Sequence, residues 1–413
     1  MAGFSPSWAP ETCKWVLRFE FLRFGFLRFG FLRGARGGAK SLTPAGVVYR
    51  AQACGRQRGV RPPDARLACA RLPGALWNPS IVTASATARR LSATPAAIAE
   101  AVAVLRAGGL VAFPTETVYG LGADATNERA VARLYAAKDR PRFNPLIAHV
   151  DSAEAAAAQG LLGRRARVLA EAFWPGPLTL VVPAARNCRV CELARAGLTT
   201  IGLRVPAHET ARDLLLAFGG PVVAPSANRS GHVSPTTADH VIEDLGPAVD
   251  LVLDGGSTPL GIESTIVACL GGPGRLLRPG GIPRGEIERA LEERVAPPDL
   301  RPAEALDGEG PLAPGQLASH YAPRARLRLL AREVHPGEAL LAFGTADIAG
   351  AAGAVARRDL SAVGDPVEAA ANLYAHLRAL DATGVASIAV APIPEEGLGE
   401  AINDRLRRAA APR

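Results

Sequence analysis

The chain has 413 residues, 48% of them hydrophobic, and a formal net charge of +8. Length and apolar content suit two or three domains with ample material for buried cores. The charge excludes less than it seems to: 15 Lys/Arg against three Asp/Glu lie in residues 1–92, and 32 against 36 in the rest. Residues 93–413 are therefore mildly acidic, and overall basicity is a poor guide to partners. There is no run of about 18 apolar residues, which speaks against a membrane span.

The cysteines are Cys13, Cys54, Cys69, Cys188, Cys191 and Cys269. Cys188 and Cys191 make a single CxxC with no second pair and no nearby histidine, too few ligands for a zinc site. Nothing suggests a disulfide framework. The usage fits a reducing cytosol, and a cytoplasmic protein is expected.

Residues 19–33 repeat Phe-Leu-Arg-Phe-Gly about three times, and residues 34–92 are rich in Arg, Gly, Ala and Pro without a period. An organellar targeting segment, a basic tail that touches RNA and translated upstream sequence all remain open. The expectation carried forward is the last, with a true start near Val82 or Leu91, and residues 1–92 are left out of the fold.

From Thr94 the pattern changes. Ala96 to Arg106 runs at helical period to Gly108 and Gly109. Residues 110–115 read as a strand, 128–137 as a helix, 145–150 as a strand and 153–171 as largely helical. Further strands are read at 178–184, 199–205, 221–225, 251–256 and 264–269. Alternating segments predict an α/β domain over 93–293 with a partly parallel sheet. Residues 294–325 carry many Pro and Gly and read as a linker. From 326 to 413 the alternation restarts, predicting a second, smaller α/β domain.

Polar clusters lie at strand ends, where open α/β sheets collect ligands. PTETVYGLG (114–122) sets two hydroxyls and a carboxylate beyond a strand, before Gly120 and Gly122, whose backbone a ligand can approach closely. Alone it is equally an ordinary strand and turn. KDRPRFNPLIAH (138–149) sets Lys138 and Arg140 on a segment pinned by Pro141 and Pro145. Lysine occurs elsewhere only at Lys14 and Lys40, which favours a specific use over a solvated charge run. A point charge beside a planar fork suits phosphate.

TTIGLRVPAH (199–208) places Arg204 on a strand among apolar residues, where it needs an anionic partner, structural or bound. APSANRSGHVSPT (224–236) offers hydroxyls and backbone N–H groups suited to phosphate or ribose. GIESTIVA (261–268) and LLRPGGI (276–282) add Ser264 and Arg278. Neither a Walker A sequence nor GxGxxG occurs. Several cations, many hydroxyls and no obvious covalent nucleophile suggest positioning of a nucleotide and a small polar co-substrate.

In this order, PTETVYGLG, KDRPRFNPLIAH, TIGLRVPAH, APSANRSG, GIESTIV and LRPGGI resemble the YrdC-like threonylcarbamoyl-AMP synthase family, over about residues 94–285. APGQLASHYAP (313–323) and the domain after it resemble that family's two-domain form. The resemblance implies a twisted mixed sheet of YrdC type and a smaller Rossmann-like domain. It implies a nucleotidyltransferase that makes L-threonylcarbamoyladenylate from L-threonine, bicarbonate and ATP and releases pyrophosphate. A partner system then transfers the group to tRNA.

By motif position, Thr117, His149, Arg204, Ala224 (through its backbone) and Ser264 would hold threonine. Arg140, Asn144, Thr200, Ser226, Asn228, Ser234, Arg278 and Tyr321 would hold ATP. Lys138 and Arg140 would neutralise charge on the phosphates, with magnesium bridging them and no dedicated cage of carboxylates for it. Two other readings stay in view. Hydrogenase-maturation carbamoyltransferases contain a similar domain, but carry an acylphosphatase-like segment and repeated CxxC pairs not found here. An RNA-binding module would need a basic surface, and the acidic balance of 93–413 counts against more than weak RNA binding.

Overall fold

The computed structural model describes residues 88–298, 311–345 and 347–412, all within one compact unit, Val82–Arg413. The expectations for the N-terminal extension fall, for residues 1–87, outside the described residues.

The first sheet contains β1 (Arg89–Ser92), β2 (Val111–Phe113), β3 (Gly120–Asp124), β4 (Ile147–His149), β5 (Leu178–Pro183), β6 (Thr200–Arg204), β7 (Val222–Val223), β8 (Leu251–Asp254), β9 (Thr265–Ala268) and β10 (Arg275–Arg278). Their order is β1-β8-β2-β3-β7-β4-β6-β5-β9-β10. The sheet is mixed: β4 runs parallel to β6 and β5 to β9, while β3 and β7 pair antiparallel. The boundary expected after residue 92 cuts this sheet. Arg89–Ser92 pairs parallel with Leu251–Asp254, and Arg90 bonds Asp254. An Arg-rich edge strand has no alternation to betray it.

Seven helices cover it among the described residues. They are α1 (Pro95–Arg106), α2 (Glu128–Lys138), α3 (Ala153–Gln159), α4 (Arg164–Phe173), α5 (Glu209–Phe218), α6 (Ala238–Leu245) and α7 (Arg284–Leu291). The expected helix over 153–171 is two, parted at Gly160, where a Cβ would meet Val182 and Leu203 within 2.8 Å. Thr94 caps α1 by accepting from the Ala97 N–H, ahead of a first-turn proline.

Strand residues alternate between two faces. Leu180, Val182, Leu203, Val223 and Val267 face one apolar core, shared with α2, α4 and α6. On the other face Val111, Phe113, Val222, Leu251 and Leu253 meet α1 and α5. Farther along that face, Ile147, Val181, Ile266, Ala268 and Leu277 are covered by Leu312 and Ala313 of an irregular segment. The functional residues collect where helices give way to this segment.

The second sheet holds β11 (Arg326–Arg328), β12 (Ala339–Ala342), β13 (Arg357–Asp359) and β14 (Ser387–Val390), all parallel, in the order β11-β14-β12-β13. Helices α8 (Pro366–Asp381) and α9 (Leu398–Ala410) pack against Leu341, Ile388 and Val390 on one face. That core also takes in Val118, Ile262 and Tyr321, from the segments between strands that precede the second sheet.

Candidate active site

Thr117 and Arg204 line a cavity, and Glu116 is bonded to Arg204 beside it. The Thr115 hydroxyl donates to the Val118 carbonyl at 2.7 Å, so Thr117, 2.7 Å away, donates to Thr115. Its oxygen then accepts from Arg204 Nη2 at 3.0 Å. The same Nη2 lies 2.6 Å from Glu116 Oε1, and Glu116 Oε2 accepts from the Ala207 N–H. Burial pushes the Glu116 carboxyl up, but Arg204 outweighs it and the group sits below its ordinary range. Arg204 Nε has no partner.

His149 is the register partner of Arg204. Burial first, and the Arg204 charge second, push its imidazole down to about 3, so it is neutral at physiological pH. Its Nδ1 is buried and unpartnered.

Arg140 follows α2 directly. Asp139 ends the helix at φ 51°, a left-handed conformation that Asp tolerates. The turn brings Arg140 back over its own loop, where it donates to the carbonyls of Asn144 and Pro145 at 3.2 and 2.9 Å. Burial lowers it to about 10, still charged at neutral pH.

Arg278 reaches the site through a β-bulge. Leu276 pairs with Val267 and Arg278 with Ile266, with a register shift between them. The extra residue turns Leu277 and Arg278 to one side. Arg278 then donates to the Ser264 carbonyl at 3.0 and 3.2 Å and to Ser264 Oγ at 3.1 Å.

Thr117, His149, Arg204, Arg140 and Arg278 line this cavity of about 50 Å³ with Ala224, Ser226, Glu263 and Ser264. Pro314, Gly315, His320 and Tyr321 roof it. Gly315 sits at φ +85°, and a Cβ there would lie 2.8 Å from Arg278 Cδ and 2.9 Å from the Tyr321 hydroxyl.

Of the residues expected to hold threonine, Thr117, His149, Arg204, Ala224 and Ser264 all line this cavity, as do Arg140, Ser226, Arg278 and Tyr321 of the nucleotide set. Thr200 lines a small adjoining cavity under Leu312, Ala313 and Pro314. Asn144 is buried with both amide atoms unpartnered. Asn228 donates to the carbonyls of Arg229 and His232, and Ser234 donates to Glu263.

Lys138 departs from expectation. It ends α2 rather than lying on a loop, is 1% exposed and does not line the cavity. Its ammonium donates to the Ser226 carbonyl at 2.5 Å and to the Asn228 carbonyl. Burial first, and Arg140 second, push it well below the usual lysine range. In this geometry Lys138 clamps the Ser226–Asn228 loop, which a compact three-donor ammonium does well.

The comparisons with known proteins point one way. A family model for Sua5, YciO and YrdC, described as "Telomere recombination", matches residues 103–280. One described as "Threonylcarbamoyl-AMP synthase, C-terminal domain" matches residues 282–411. The threonylcarbamoyl-AMP synthase of Pyrococcus abyssi is 40% identical, over 75% of this chain and 93% of its own length. That of Bacillus subtilis is 38% identical, over 78% and 95%.

The chain belongs to the threonylcarbamoyl-AMP synthase family.

The crystal structure of P. abyssi Sua5 complexed with L-threonine aligns with a TM-score of 0.69 at 38% identity, covering 78% of this chain and 97% of that one. Glu263 and His320 went unread in the sequence, although each adjoins a residue that was singled out, Ser264 and Tyr321. His320 is held neutral, burial pushing it down to about 3.

Proposed function

We propose that this cavity joins carboxylated threonine to adenylate. The observation that carries the reading is a convergence of buried polar atoms without partners: Arg204 Nε, His149 Nδ1, Asn144 Oδ1 and Nδ2, Asn228 Oδ1, Thr200 Oγ1, His320 Nδ1 and the Tyr321 hydroxyl. A buried polar atom without a partner is costly. Arg204, His149, His320 and Tyr321 line the cavity and Thr200 the one adjoining it, as expected where a polar substrate supplies the missing bonds.

The threonine end is assigned to Thr117, His149, Arg204, Ser264 and the Ala224 backbone. Arg204 takes the substrate carboxylate, and neutral His149 offers a hydrogen bond without a proton to lose. The nucleotide end is assigned to Arg140, Ser226, Arg278 and Tyr321, with Thr200 and Asn144 to one side. In the chemistry assigned here, the threonine amine attacks the carbon of bicarbonate, and water leaves to give a carbamate. The carbamate oxygen bonds to the α-phosphorus, and the bond from that phosphorus to the pyrophosphate breaks. The carbamate is already an anion, so no general base is required. Arg140 and Arg278 neutralise the charge that builds on the leaving phosphates.

Among the described residues no three His, Cys, Asp or Glu gather to hold a metal, and the carboxylates of Glu116 and Glu263 are engaged by protein donors. These residues do not fit a protein-held ion, so magnesium enters as MgATP, part of the substrate. Ligand sites of this size class occupy roughly 300–1,000 Å³, so the roof at Gly315 and Tyr321 shifts outward to admit it. The product then passes to a tRNA-modifying transfer system in the cytoplasm. None of the described helices is long and apolar enough to cross a membrane.

The test is pyrophosphate release with MgATP, bicarbonate and L-threonine, each omitted in turn. Release that needs all three supports the reading, and release indifferent to threonine overturns it.

A further inference from the structure

The second domain sends two side chains to the wall of the cavity. Arg405 of α9 is 1% exposed. Its Nε donates to Glu263 Oε2 at 2.8 Å, its Nη2 to the Pro279 carbonyl at 2.8 Å and its Nη1 to Asp404 at 2.5 Å. Tyr374 of α8 places its hydroxyl 2.9 and 2.8 Å from the two Glu263 oxygens. Ser234 donates to Oε1 at 2.6 Å. The Arg405 guanidinium lies 5.0 Å from the centre of the Tyr321 ring, and Tyr321 stacks on Tyr374.

The placement is specific to Arg278. Its acceptor is Ser264, the residue after Glu263, and Pro279 is the residue after Arg278 itself. Arg405 therefore holds a neighbour of the acceptor and a neighbour of the donor. Gly261 fixes the same loop on the second domain: at φ +63°, a Cβ there would lie 2.4 Å from the Ala371 carbonyl of α8.

An anion in this wall is a hazard for the assigned chemistry. Without a partner, Glu263 would pair with Arg278, whose charge already acts on it, or repel the triphosphate. Burial raises the Glu263 carboxyl, but Arg405 first, then Arg278 and Ser234, hold it at about 2, so it stays ionised and its charge needs balancing.

We propose that Arg405 and Tyr374 are positioning residues for Arg278: they neutralise and anchor Glu263 and so leave the Arg278 guanidinium available to the nucleotide phosphates. This rests on the assignment of Arg278 to phosphate. It gives the second domain a part in nucleotide binding beyond holding the linker.

The test is equilibrium titration with MgATP, without threonine, followed by steady-state turnover. Arg405→Met should raise Kd for MgATP about tenfold or more, since a buried charge left unpaired is strongly unfavourable, with little change in KM for threonine. Glu263→Gln/Arg405→Met removes both charges and should return Kd to within about threefold of the parent, because a neutral pair can replace a buried ionic one. An unchanged Kd in the single variant, or no recovery in the double, overturns the proposal and leaves Arg405 as a packing residue. If Arg405→Met does not fold, Tyr374→Phe reads the same quantity. It removes a hydrogen bond to Glu263 and should weaken MgATP about threefold, whereas no weakening overturns the proposal. The titration reports whether or not turnover depends on threonine, so failure of the functional reading shows separately, in the parent protein's turnover.

Discussion

His149 and Arg204 are register partners on neighbouring parallel strands, so a buried imidazole lies beside a buried guanidinium. Burial first, and this pairing second, keep His149 neutral. His320 above the cavity is held down to about 3 as well. Both folded values lie below the ordinary 6.5, so between about 3 and 6.5 the unfolded chain binds more protons. Stability is fully present above about 6.5 and is lost as the pH falls through that window, by at most about 1.4 kcal/mol per pH unit for each imidazole. Urea unfolding at successive pH values should show this slope, and His149→Gln should remove part of it. A slope unchanged by that substitution would place the titration elsewhere.

Lys138 and Arg140, two residues apart, should fail differently when changed. Lys138→Met strands two carbonyls and should cost about 2 kcal/mol of stability, lowering the melting temperature by several degrees. Arg140→Lys keeps the charge but loses the fork that binds two carbonyls. It should weaken MgATP about tenfold with a smaller change in melting. Melting curves and MgATP titrations on both variants decide. Equal profiles would mean the two cations share one role.

Glu116 holds Arg204 at the threonine end. Glu116→Gln leaves that guanidinium without an anion and should cost about 3 kcal/mol. If the threonine carboxylate docks on Arg204, it replaces the missing charge. L-threonine should then raise the melting temperature of Glu116→Gln more than that of the parent. An equal or smaller rise would remove Arg204 from the carboxylate site.

Gly315→Ala forces a Cβ against Arg278 and Tyr321 at a left-handed backbone position. Strain of about 1 kcal/mol and a displaced roof should lower kcat/KM for MgATP about tenfold. Retained activity would show that the backbone at Gly315 does not govern how the roof settles over the nucleotide.

Much of this arrangement was legible in the sequence because the relevant strands are apolar runs ending in polar loops. Ile147, Ile201 and Val222 mark strands by composition alone; His149 and Arg204 end β4 and β6, and Ser226 follows β7. β3 was not legible. Its glycines suggested backbone that a ligand can approach closely, yet Gly122 is a strand residue placed where a Cβ would lie 2.8 Å from the Phe113 ring. The bulge that turns Arg278 toward the cavity left no mark, because LLRPGGI reads the same with or without one extra residue in the pairing. Lys138 was expected on a loop and instead ends α2, bonded to two carbonyls: a rare lysine signals a specific partner, but the sequence cannot say whether that partner is a phosphate or a carbonyl. The Glu263–Arg405 contact spans 142 residues, and no local pattern links its ends.

The most direct measurement follows the carbon. Purified protein with MgATP, L-threonine and ¹³C-labelled bicarbonate should yield a nucleotide whose mass contains AMP, threonine and the labelled carbonyl together, with pyrophosphate released beside it. A labelled adenylate that disappears when threonine is withheld is the result expected. ADP or free AMP as the only nucleotide product, with no label retained, would contradict the account.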